Sequence, residues 1–191
     1  MKIDKSILWS FILLVVIASL YRVIPGRPFG FAPQIAMALF SGSIVKQKKY
    51  AFLLPLLSMF FSDFLYEILY NVNISPIKGF YDGQLLNYLL FAAVTVVGFF
   101  INKQKPVSIA IGSIAGASFY FITSNLAVWI GGGLGLDNLP YAKTLEGLYA
   151  CFAAGVPFYK ASLYATLFFS GMLFGGYFLM NKYMVIKPAI S

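Results

Sequence analysis

Asp63 and Glu67, two carboxylates four residues apart in an apolar stretch, have the spacing that most directly suggests chemistry. On a helix that spacing puts both on one face. Ionisable groups in apolar spans are costly, so such a face turns toward an interior cavity rather than lipid. The pair would suit a cation, an amine or a proton-coupled step. Pairing with Arg22 or Arg27, expected at the same depth, would make it structural instead. Asn125 and Trp129 repeat the four-residue spacing on a second apolar stretch, with Ser124 alongside. Asparagine both donates and accepts, so Asn125 serves a ligand or a neighbouring helix equally well. Trp129 fits a pocket wall or an interfacial aromatic belt. Asn87 and Tyr88 open a third stretch. Tyr66, Tyr70, Tyr81, Tyr141, Tyr149 and Tyr159 gather on the same side, where rings could sandwich a flat solute or hold a cation. Taken together, Arg22, Arg27, Asp63, Glu67, Asn87 and Asn125 point to a pocket open at one side of a membrane and closed at the other.

The residues that are missing narrow the chemistry. Histidine is absent and Cys151 is the single cysteine. Zinc and iron–sulfur centres lose their usual ligands, and a histidine-based triad is excluded. With no histidine to activate it, Cys151 reads as a small packing residue. No G-x-x-x-x-G-K-[ST] run is present, so any ATP-driven step requires partner subunits. We expect no catalytic residues, no cofactor and no resident metal.

The elements that must position these residues are apolar helices. Hydrophobic residues make up 60% of the 191 positions and charged residues 10%, against roughly 25% charged in soluble domains. Mean hydropathy is +0.83. A membrane span needs about 20 apolar residues. That length predicts one transmembrane domain over 1–191, with six spans near 7–24, 31–45, 50–70, 85–101, 106–130 and 158–181. Pro55 predicts a kink in the third span, and Pro28, Pro106 and Pro157 stand near span starts. The net charge of +8 reads as positive-inside bias rather than as a nucleic-acid surface. Placing both termini in the cytoplasm puts nine lysines there, including Lys2, Lys46, Lys103 and Lys187, with Asp4 the only acid. The opposite side carries Arg22, Arg27, Lys78, Lys143 and Lys160, balanced by five carboxylates. The expectation is therefore all-α, N-in and C-in, in a bacterial inner membrane.

Segment 131–155 is expected to form an outer loop, glycine-rich at first, with a short helix over 145–154 capped by Thr144, lying in the interface or serving as a lid. An internal echo links two segments in gap-free register. Gly26, Pro28, Phe29, Ala36 and Ser41 match Gly155, Pro157, Phe158, Ala165 and Ser170, which suggests similar bent starts to spans two and six. Small residues four apart, Ala38/Gly42, Gly112/Gly116 and Gly171/Gly175, permit close helix contacts.

Several of these motifs carry a resemblance. Arg27-Pro28, Phe31-Ala32-Pro33 and the run from Ala36 to Gly42 come first. Ser62-Asp63, Ser124-Asn125 with Trp129, and Tyr141, Thr144, Gly147-Leu148, Cys151 and Pro157-Phe158 follow. Over about residues 22–175 the chain resembles an uncharacterised bacterial membrane family labelled as the substrate-binding (S) component of energy-coupling factor (ECF) transporters. The resemblance implies six helices, cytoplasmic termini and a pocket near the outer face. It also implies a coupling protein and two ATPases as partners. Many S components carry Ala-x-x-x-Ala in the first helix, where this chain has Ser6 and Ser10. A nickel or cobalt component would have a histidine-rich N-terminus, which is absent, so the implied cargo is an organic micronutrient.

The leading expectation is thus a subunit that captures a small solute from the non-cytoplasmic side. Asp63, Glu67, Asn125, Trp129, Arg22, Arg27, Asn87 and Tyr88 would line its site. The alternative is an accessory subunit of a larger envelope complex. A proton-coupled carrier, or an intramembrane enzyme using Asp63 and Glu67 as acid and base, stands further back.

Overall fold

The computed structural model describes residues 5–135 and 137–184. Lys2, Asp4 and Lys187 of the charge count lie outside them. The described residues form helices α1 (Lys5–Val23), α2 (Gln34–Ile44), α3 (Lys48–Ala51), α4 (Leu53–Asn71), α5 (Gln84–Gly98), α6 (Pro106–Ile130) and α7 (Leu145–Met184), with no β-strand among them.

Proline and glycine set most helix ends. The helix α1 stops before Pro25 and Gly26, whose φ of 79° is left-handed; a residue preceding proline is pushed out of helical conformation. Pro33 precedes α2 and gives its carbonyl to the Met37 amide at 2.8 Å. The expected kink at Pro55 takes the form of a break at Phe52, between α3 and α4. Pro55 has no N–H for the Ala51 carbonyl four residues back. Ser41 Oγ on α2 donates to that carbonyl at 2.6 Å instead.

The short helix α2 stands at the centre and packs against α4, α5, α6 and α7. Ala36, Ala38, Leu39 and Ser41 on it are fully buried. Close approach follows from glycine: a Cβ on Gly42 would strike the Thr95 carbonyl oxygen and lie 3.0 Å from the Gly98 Cα on α5. The helices α1 and α4 pair along one side, and α6 and α7 along the other.

The interior is unusually polar and the exterior apolar. Ser19, Ser58, Ser62, Asp63, Gln84, Thr95 and Thr166 are buried, whereas Leu13, Ile17, Phe100, Val107 and Phe168 are exposed. That distribution suits a surface in contact with lipid. Among the described residues, three helices are long and apolar enough to cross a membrane: Lys48–Asn71, Pro106–Ile130 and Leu145–Lys182. This is fewer than the six spans anticipated. The apolar helices Ser10–Val23, Gln34–Ile44 and Gln84–Gly98 are shorter. At about 1.5 Å per residue, the eleven residues of α2 cover roughly half of a ~30 Å hydrocarbon core.

Two further expectations are corrected at α7. Residues 145–154 do not form a separate interfacial helix, and Pro157 does not open a new span; both lie within one 40-residue helix. A proline removes one backbone donor, and membrane helices tolerate that where neighbours satisfy the freed groups. Thr144 does cap this helix, accepting the Gly147 amide at 3.2 Å. The echoed segments therefore differ in backbone: 26–33 is loop and turn, and 155–161 is helix. Their matching Ala36 and Ala165 are nonetheless both fully buried, as are Ser41 and Ser170.

Candidate functional site

Asp63 is 2% exposed, on α4. Arg22 Nη1, from the last turn of α1, donates to Asp63 Oδ1. Gln84 Nε2 and Tyr88 OH, one turn apart on α5, donate to Oδ2 at 2.6 and 2.8 Å. Gly83, at φ 88°, provides the left-handed turn that starts α5 and brings Gln84 back toward α4. Ser62 Oγ accepts from Arg22 Nη1 at 2.6 Å, and Tyr66 OH donates to the Arg22 carbonyl at 2.6 Å. A buried carboxylate with three donors, one of them a guanidinium, is a satisfied network. Asp63 thus holds Arg22 in place and locks α1, α4 and α5 together.

Glu67 has a different task. Its Oε2 accepts the amides of Gly79 and Phe80, both at 3.1 Å, and so pins the α4–α5 loop. Gly79 lies so close that a Cβ there would strike the Asp63 carbonyl. Trp129 pins the α6–α7 loop, its Nε1 donating to the Ala142 carbonyl at 2.8 Å. Lys143 Nζ donates to the carbonyls of Trp129 and Ile130. Among the described residues of 131–154, none lines the cavity described next. The outer segment that does border it is the α1–α2 loop, through Arg27, Gly30 and Ala32.

A cavity of about 290 Å³ lies among α1, α2, α4, α5, α6 and α7. Of the eight residues anticipated, Arg22, Arg27, Asn87 and Asn125 line it; Asp63, Tyr88, Glu67 and Trp129 do not. Aromatic walls come from Phe91, Tyr120, Phe121, Phe158 and Tyr159, with Ser124 and Ser162 between them. Tyr120 OH donates to Asn87 Oδ1 at 2.6 Å, and Asn87 Nδ2 donates to Tyr81 OH at 3.1 Å. Asn125 Nδ2 donates to the Phe121 carbonyl at 2.8 Å. Its amide fits against α7 because residue 155 is glycine, whose absent Cβ would lie 2.9 Å from Asn125 Nδ2.

Gln34, like Phe91, Tyr120 and Ser162, lines the cavity without having been singled out by the sequence pattern. It is the first residue of α2, 2% exposed, and neither its Oε1 nor its Nε2 has a hydrogen-bond partner. Leaving a buried polar group unpaired costs about 1–3 kcal/mol. The signal was present as the only amide at the start of the short second apolar stretch, but beside Pro33 it passed for an ordinary helix start. Gln84 was likewise overlooked, although Gln84, Asn87 and Tyr88 share a helical face.

Arg27 completes the wall. Its Nε donates to the Arg22 carbonyl at 2.8 Å and its Nη1 to the carbonyls of Phe31 and Pro28, at 3.3 and 3.5 Å. Among the described residues it pairs with no carboxylate, the Arg22–Asp63 bridge being the one ion pair there. No cluster of three potential metal-ligating side chains occurs among them either.

Helices with membrane-crossing length and an apolar exterior, closed around a polar cavity near one end, define the class as an all-helical protein consistent with membrane residence. The chain belongs to a family of unknown function, DUF6580, whose model matches residues 2–189. Neither the curated proteins nor the solved structures yield a match.

Proposed function

We propose that this chain is the solute-binding membrane subunit of a transporter, taking a small organic molecule from the non-cytoplasmic side into the cavity bounded by Arg27, Gln34 and Asn125. The observation that carries this reading is Gln34. A buried amide unpaired at both ends destabilises the chain as it stands, and a solute able to donate and accept would remove that cost once the side chain turns toward the cavity. The cavity volume, about 290 Å³, is at the lower edge of typical small-molecule sites, roughly 300–1,000 Å³. That size favours a metabolite over a lipid or peptide.

The finer topology belongs to the same proposal: six membrane segments, with α1 among them and the shorter α2 and α5 completed by their flanking turns, and both termini in the cytoplasm of a bacterial inner membrane. Its support is the separation of charge. Lys48 donates to the Gly42 carbonyl at 2.6 Å, and Lys103 lies over the Tyr177 ring at 5.5 Å, so these lysines gather at one end. The cavity, Asp63 and Glu67 lie toward the other. An ECF-type coupling protein with ATPases is the partner set that the sequence resemblance suggests. The role proposed is binding without catalysis; Asp63 and Glu67 already hold protein donors, which weighs against their use as acid and base.

Native mass spectrometry of the full chain, released from membranes in mild detergent, tests the proposal. Wild type should carry a small molecule that Gln34→Leu loses at unchanged folded yield. A chain that carries no solute, but stays bound to other envelope proteins, would overturn it in favour of an accessory subunit.

A further inference from the structure

Resting on that reading, we infer that the solute is a monocarboxylate that also presents an amide-like edge. Its acid group faces Arg27 and its amide edge faces Gln34. Charge is the first argument. Among the described residues, the cavity is lined by two arginines and by no Asp or Glu. Asp63 lies behind the wall and neutralises Arg22 through Nη1. Arg27 has only carbonyl acceptors. The local balance is therefore about one positive charge, held in a half-buried setting where water screens it incompletely. An unpaired cation in such a place is expensive, and an anion arriving there is favoured for the same reason.

The magnitude of that balance separates carboxylate from phosphate. A carboxylate brings one negative charge. A phosphate monoester brings about −1.5 to −2 at neutral pH, which would leave the cavity over-compensated, because Arg22 is already matched. The guanidinium of Arg27 also suits the planar oxygens of a carboxylate, which it can engage through two parallel N–H groups.

Hydrogen bonding supplies the second argument, independent of charge. Gln34 carries an unpaired carbonyl oxygen and an unpaired NH₂ together, both buried behind the cavity surface and presented to a solute by a turn of the side chain. Their complement is a group that donates and accepts side by side, such as a lactam, an imide or a primary amide. By contrast, Asn87 has its oxygen taken by Tyr120 and Asn125 has its nitrogen engaged with the Phe121 carbonyl. The walls between these polar groups are rings, Phe91 and Tyr120 among them with centroids 5.0 Å apart, which suits a flat body.

The test uses the full chain in detergent or lipid nanodiscs, in two arms. In the first, the solute that co-purifies is released and its charge and phosphorus content are measured. A monoanion free of phosphorus is expected. A neutral, cationic or phosphorylated solute would overturn the inference while leaving the solute-binding reading intact. In the second arm, orotate and pyroglutamate, each with one carboxylate and ring-amide edges, are compared with uracil and benzoate, which each lack one feature. Orotate or pyroglutamate should bind at least about ten-fold more tightly than uracil or benzoate, the scale of one charge-assisted hydrogen bond. Arg27→Gln should remove the advantage over uracil, and Arg27→Lys, which keeps the charge and guards against a folding defect, should restore part of it. Equal binding of all four probes would sink the assignment of the carboxylate to Arg27. A chain with no co-purified solute and no response to any probe would end both readings.

Discussion

Asp63 shows how far a residue's type and its role can diverge. A carboxylate in an apolar helix was expected to touch the ligand, and it touches Arg22, Gln84 and Tyr88 instead. Its effect on the cavity is exerted through Arg22, so it is a positioning residue. Removing one partner of a buried ion pair leaves the other uncompensated, at a cost of about 3–5 kcal/mol. Asp63→Asn should accordingly lower the thermal unfolding midpoint in detergent sharply, and Arg22→Gln added to it should recover part of the loss. Equal stability of wild type and Asp63→Asn would contradict the network. The sequence made the depth of Asp63 and Arg22 legible, because desolvation alone forces them inward and together. Which of them faces the ligand was not legible, since that depends on the side from which Gln84 and Tyr88 arrive across the α4–α5 loop. Gln34 was illegible for a related reason: an unmet hydrogen bond is a property of the surroundings, and those come from five other helices.

At the scale of elements, α2 decides the architecture. Eleven residues long and central, it meets α5 through glycine on both sides, since a Cβ on Gly98 would lie 2.9 Å from the Leu39 Cα. Gly42→Ala should force the two helices apart and cost about 1–3 kcal/mol, the range for overpacking. Gly171 and Gly175 have the same small-residue spacing in the sequence, yet open space surrounds both. Gly171→Ala should be neutral, or stabilising by about 0.5–1 kcal/mol through helix propensity. Thermal unfolding of the two variants side by side checks the contrast, and equal losses would refute it. Spacing alone could not distinguish these pairs. The prolines were similarly ambiguous: Pro106 marks a start as expected and Pro33 stands just before α2, whereas Pro157 lies inside α7. A missing amide ends a helix only when the chain has somewhere better to go.

At the scale of the whole molecule, the proposed topology sets the unbalanced lysines at the end away from the cavity, which gives the chain a direction. In a Cys151→Ala background, Lys78→Cys in intact cells should react with a membrane-impermeant maleimide, whereas Lys46→Cys should react only after the cells are opened. Labelling of both without permeabilisation would contradict the proposed orientation. Helical class and one-sided polarity were readable from composition and from the lysine pattern, because lipid allows the backbone few alternatives. Helix lengths were not, since a turn of helix in the membrane and a turn of loop beside it have the same apolar composition.

All of these scales converge on the amide of Gln34. The most direct measurement is a cryo-electron-microscopy structure of the full chain taken from its native membrane, with an antibody fragment added for size. Non-protein density should fill the cavity and approach within about 3 Å of both Gln34 Oε1 and Nε2. A cavity holding only water, or a Gln34 side chain paired with its own protein, would contradict the account.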